Sequence, residues 1–161
     1  MARKIVHHMD YETLVDVNKG VVALTREPHG VSQADRRKLS ELIKQVEQRA
    51  DNQDFEAAVA EKASLLVYEI ARGQFFRAGN KRTALVACLA FLVRNGYTLD
   101  IKNPGFVGVV DRAGIAAAGL DDLYAEVTRL MTKTKTGRRS WEKAVAGVIE
   151  GNRDFLATLA S

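Results

Sequence analysis

The stretch Gly73–Asn95, GQFFRAGNKRTALVACLAFLVRN, decides the fold. It opens as a loop with Phe75 and Phe76, passes Ala78 and Gly79, and becomes almost wholly apolar from Thr83 to Val93. A helix that is apolar on every face has no side to offer to water, so it belongs at the centre of a domain. The spacing predicts a central helix over Asn80 to Asn95, surrounded by the others. Its first turn carries Asn80, Lys81 and Arg82 behind a glycine. The unpaired amides and the dipole of a helix start attract anions, and two cations stand there in addition. Asn80 to Arg82 therefore read as a phosphate-sized positive site at the mouth of the core helix. A Gly-Asn pair before a helix is also an ordinary capping device, with the cations merely solvated. Four cations, Arg72, Arg77, Lys81 and Arg82, against Glu69 alone favour the anion pocket.

Outward from that stretch the chain reads as helical. Leu14, Val15, Val17, Val21, Val22 and Leu24 form one broad stripe over Tyr11 to Thr25, ended by the Pro28 to Gly30 turn. Ser32 is the expected N-cap of a helix to Ala50, and Asp54 of a helix Phe55 to Ala71, ended by Gly73. Asn95-Gly96 is a helix end, and Tyr97 to Ile101 alternates like a short extended segment. Asn103-Pro104 starts a helix to Ala118, and Asp121-Asp122 a further one to about Lys133. Trp141 to Ile149 begins a last helix, interrupted near Gly151-Asn152. With no repeat and no linker, the expectation is one all-α domain over 1–161.

Composition bounds the function. The 161 residues are 47% hydrophobic and 27% charged, with net charge +4, which suits an acidic partner without demanding one. The single cysteine, Cys88, lies inside the apolar helix and reads as a packed, inert thiol. It excludes an internal disulfide and fits a reducing cytoplasm. No apolar run is long enough for a signal peptide or a membrane span, so a cytoplasmic protein without a membrane partner is expected.

EIARGQFFRAGNKRTALVACLAFLVRNGYTL resembles the signature region of the Fic/Doc (Fido) superfamily, nearest its death-on-curing branch. That branch reads roughly His-x-Phe-x-Asp-(Gly/Ala)-Asn-Lys-Arg-Thr-Ala, then an apolar helix and Asn-Gly-Tyr. The motif region is 73–84 and the similarity is tight over about 57–100. The resemblance implies a helical domain that binds ATP or a related nucleotide at the start of the motif helix. In the family, AMP or phosphate passes to a hydroxyl of a target protein. The motif histidine takes the proton, the acidic residue four positions later holds Mg²⁺, and Gly-Asn with the motif arginine cradles phosphates.

Carried over by position, Phe76, Gly79, Asn80, Lys81 and Arg82 match, with Arg82 at the family's catalytic arginine. Gln74 stands at the histidine and Ala78 at the acidic position. An amide has no useful pKa near 7, and a methyl group cannot ligate Mg²⁺. Three explanations stay open for Gln74: a pseudo-enzyme that keeps a nucleotide loop, altered chemistry using another base, or an engineered change. Only the first two also cover Ala78. The substitute imidazoles, His7, His8 and His29, read as surface histidines without function.

Two other features are weaker. Ala146 to Asn152 resembles the family's inhibitory pattern (Ser/Thr)-x-x-x-Glu-(Gly/Asn) through Glu150. The first position is alanine, and the arginine that would pair with the glutamate is replaced by Leu85, so the segment reads as a helix end. The basic run Lys133 to Arg139 before Trp141 reads as a solvated face rather than a nucleic-acid contact. The expectation is therefore a Fic/Doc-like protein that binds phosphate through Gly79 to Arg82 and lacks the transferase step. An active transferase, or an interaction module that meets an antitoxin-like partner, are the alternatives.

Overall fold

The computed structural model describes residues 4–50, 54–134 and 139–159. It is 68% helical, and eight helices are described: the protein is all-α. In chain order they are α1 (Tyr11–Ala23), α2 (Gln33–Gln48), α3 (Phe55–Gly73), α4 (Asn80–Arg94), α5 (Pro104–Gly114), α6 (Leu120–Leu130), α7 (Trp141–Gly151) and α8 (Arg153–Thr158). Two short strands, β1 (Tyr97–Thr98) and β2 (Thr132–Lys133), pair antiparallel with Thr98 opposite Thr132.

The apolar run becomes the central helix α4. Ala84, Leu85, Val86, Ala87 and Cys88 are each fully buried, because α1, α3 and α7 all pack on this helix. The largest helix–helix interface is that of α3 with α4. Burial pushes the Cys88 thiol up to about 12, so it stays protonated and inert. Among the described residues no helix is long and apolar enough to cross a membrane.

The helix starts are capped as their sequences dictate. Asp10, Ser32 and Asp54 accept hydrogen bonds from the amides of Thr13, Asp35 and Ala57. Asn103 accepts from the amides of Gly105 and Phe106 ahead of Pro104. The start of α4 has Gly79 as its N-cap and, like the starts of α6 and α8, no side chain that caps it.

Several helix ends depart from expectation. Helix α3 runs past Ala71 and ends at Gly73, and Gln74, not a glycine, takes the left-handed position after it with φ 51°. Gly73 is needed because Phe75 lies on it, where a Cβ would sit 2.4 Å from the ring. The fifth helix stops at Gly114 rather than Ala118. The chain closes there in a Schellman turn, with Ala116 at φ 60° and the Ala117 N–H donating to Arg112 O at 2.7 Å. The sixth ends at Leu130 rather than Lys133, since Thr132 and Lys133 pair with the extended segment after α4. The shorter departures, α1 to Ala23, α2 to Gln48 and α4 to Arg94 with Asn95 as C-cap, are fraying of one or two residues.

Candidate anion site at the start of the central helix

Residues 74–79 form the loop between α3 and α4, and it is held from several sides. The Asn80 side chain closes it: Oδ1 accepts from Phe76 N at 2.9 Å and Nδ2 donates to Phe76 O at 2.9 Å. Val31 bridges Phe76, and the Arg77 N–H donates to Gly30 O at 3.0 Å. Phe75 and Phe76 anchor it in the core. Gly79 sits at φ 73°, and a Cβ there would lie 2.9 Å from Val22 Cγ1. Only glycine fits both the left-handed backbone and the approach of α1.

The loop and the first turn of α4 form one wall of a cleft of about 450 Å³, which falls in the ordinary range for small-ligand sites. Gln74, Arg77, Ala78, Gly79, Asn80 and Lys81 line that wall; Val110, Asp111, Gly114 and Ile115 line the α5 side, and Glu27 the rim. The amides of a first helical turn have no intrahelical acceptor. With no side-chain cap on α4, they remain a ready set of donors toward an anion.

The four cations counted in the sequence are less free than their number implies. Arg72 folds back over the Tyr68 ring, 4.9 Å from its centroid. Lys81 Nζ donates to Asp111 Oδ1 at 2.6 Å across the cleft. Arg82 is 1% exposed; it donates to Thr25 Oγ1 at 2.9 Å and forms a short ion pair with Glu27. Its Nε is buried without a hydrogen-bond partner. Arg77 is exposed on the cleft wall. The local count missed the counter-charges because Glu27 and Asp111 come from segments 55 and 30 residues away. The Thr25 hydroxyl, which donates to Glu27 at 2.5 Å, and then Arg82 hold the Glu27 carboxyl below its ordinary range.

Gln74 is placed on the cleft, but its amide serves the loop. Nε2 donates to Ala71 O at 3.2 Å, and Oε1 accepts from Asn80 Nδ2 at 3.4 Å. Ala78 presents a methyl group beside it. Glu150 does not line this cleft; it is 74% exposed and pairs with Arg153 on the solvent side of α7. His7 and His8 belong to the N-terminal segment packed at the other end of α4, and His29 is exposed. Of the basic run, residues 135–138 lie outside the described residues. Trp141 is half-buried, with its ring tilted against Phe91 and beneath the Arg94 guanidinium.

Sequence reasoning missed Asn18, Thr25, Glu27 and Asp111. Asn18 alone left a signal: it is a polar residue at helical spacing from Leu14 and Val21, inside the apolar stripe of α1.

The fold and the site together define a class of helical domain whose buried central helix opens, without a side-chain cap, on a cleft. Within that class, the model of the Fic/DOC family matches residues 8–92, more than half of the chain. The chain belongs to the Fic/DOC family. No curated protein and no solved structure gives a match to it.

Proposed function

We propose that this protein binds a phosphate-bearing ligand, ATP or a related nucleotide, in the cleft at the start of α4, without the transfer step usual in its family. The uncapped first turn of α4, facing the cleft beside Lys81, carries this reading. Its amides, with the Lys81 ammonium, offer donors and positive charge to phosphate oxygens.

A catalytic step needs more than an anion cradle. The Gln74 amide cannot accept a proton from an attacking hydroxyl, and it is held by Ala71 and Asn80. The residues present do not fit Mg²⁺: Ala78 supplies no oxygen, and Glu27 and Asp111 already face Arg82 and Lys81. General acid–base help is typically worth about 10²–10⁴-fold, so binding outlasts chemistry when both groups are replaced.

Titration calorimetry with ATP and with inorganic phosphate, each with and without Mg²⁺, tests the reading. Binding that is little changed by Mg²⁺ supports it; no heat at millimolar nucleotide sinks it. Radioactive ATP that labels a target through the unmodified chain would overturn the loss of transfer and favour the active transferase.

A further inference from the structure

Asn18 lies on the buried stripe of α1, 1% exposed, among Leu14, Val17, Val21 and Val22. A buried amide is costly unless its polar atoms are matched. Here one half is matched and the other is not. Nδ2 donates to Ala78 O at 2.9 Å and to Thr83 Oγ1 at 3.1 Å, while Oδ1 is buried without a hydrogen-bond partner. The amide cannot be turned over, because its oxygen would then face the Ala78 carbonyl, which only accepts.

The consequence lies in the peptide that Asn18 grips. All described peptides are trans. In a planar trans peptide the C=O and the following N–H point in opposite directions. Asn18 draws the Ala78 carbonyl inward to α1, so the Gly79 N–H points the other way, to the side of the cleft that Ala78 and Gly79 line. Among the described residues that N–H has no hydrogen-bond partner. By holding Thr83 as well, Asn18 fixes this peptide relative to the first turn of α4. An apolar side chain would avoid the orphaned oxygen but would leave the peptide free to turn.

We propose that Asn18 is a positioning residue of the anion site: it orients the Ala78–Gly79 peptide so that the Gly79 N–H joins the first-turn amides as a donor to the bound oxyanion. The proposal rests on the reading of the cleft as a phosphate site and names a residue, far away in sequence, on which that site depends.

The test begins with the parent protein, ¹⁵N-labelled and titrated with inorganic phosphate and with ATP. The Gly79 amide resonance is expected to move together with those of Asn80 and Lys81. If the latter move and Gly79 does not, the role of Asn18 is overturned and the site survives. If none moves at millimolar ligand, the site reading falls and takes this proposal with it. Asn18→Leu, which removes the donor and the orphaned acceptor together, is expected to keep a cooperative melt and to bind phosphate about tenfold more weakly, the worth of one hydrogen bond to a charged group. A folded Asn18→Leu with the parent's affinity overturns the proposal. Asn18→Asp turns an acceptor toward the Ala78 carbonyl at neutral pH and regains a donor when protonated. Its affinity relative to the parent, measured at each pH, is therefore expected to rise toward acid; a flat ratio counts against positioning.

Discussion

The two ends of α4 treat their unpaired backbone groups in opposite ways. At the C-terminal end the carbonyls of Phe91, Leu92 and Val93 are engaged by the N–H groups that follow the helix. Asn95, 4% exposed, donates from Nδ2 to Phe91 O at 2.9 Å and His7 O at 3.0 Å, and Oδ1 accepts from His7 N at 2.7 Å. Gly96 turns left-handed behind it, and the N-terminal segment is strapped across the helix end. At the N-terminal end the polar side chains face away from the helix amides. Asn80 closes the loop before it, Arg82 reaches Thr25 and Glu27, and Asn18 holds Ala78 and Thr83 from behind. One end is closed for stability. The other is braced from the rear and left open in front, which is what an anion site requires.

Substitutions at the two ends should separate these roles. The largest effect is expected for Gly79→Ala, which meets both a left-handed backbone and the contact with Val22. Strain and overpacking together should cost about 2–5 kcal/mol in denaturant unfolding and abolish phosphate binding. Retained affinity in the folded fraction would show that the loop geometry does not matter to the ligand.

Asn95→Ala is next. It removes three hydrogen bonds, two of them to the His7 backbone, while Phe91 O keeps the bond from the N–H of residue 95, which should cost about 1–3 kcal/mol. Calorimetric affinity for ATP should not change, since the closed end takes no part in binding. A loss of affinity equal to that of Gly79→Ala would erase the distinction between the ends.

The smallest effect concerns Glu27. Thr25 and Arg82 lower its carboxyl, so the ion pair contributes to stability above the ordinary carboxylate pKa and is lost only as pH falls through the depressed value. Between neutral pH and about pH 5, the melting temperature of Glu27→Gln should lie a constant interval below the parent's, and the two should converge in stronger acid. At neutral pH, with the carboxylate no longer beside Arg82, phosphate affinity of Glu27→Gln should rise about two- to fivefold. A fall in affinity would mean that Glu27 organises the site instead of opposing the ligand.

The contrast also marks how far the sequence could be read. The all-α class, the central helix and most caps were legible, because periodicity and cap chemistry act within a few residues. The ends of α3, α5 and α6 were misplaced where a tertiary contact took over: Phe75 lying on Gly73, the Schellman turn after Gly114, and the pairing of Thr132–Lys133 with Tyr97–Thr98. The positive mouth of α4 was legible as a motif. Its electrostatics were not, because the carboxylates that answer Lys81 and Arg82 arrive from α5 and from the loop after α1.

The sequence by itself determined that Gly73–Asn95 would be a buried helix with glycine, asparagine and two cations at its start. It also determined that Gln74 and Ala78 bring neither a proton acceptor nor a metal ligand there. Only the tertiary structure decided which donors remain free. Asn80 and Gln74 are committed to the loop and Arg82 to Glu27, and Lys81 gives one of its three N–H donors to Asp111, whereas the uncapped amides and the Gly79 N–H remain. Hydrogen bonds and ion pairs depend on distance in space, and packing sets those distances independently of separation along the chain.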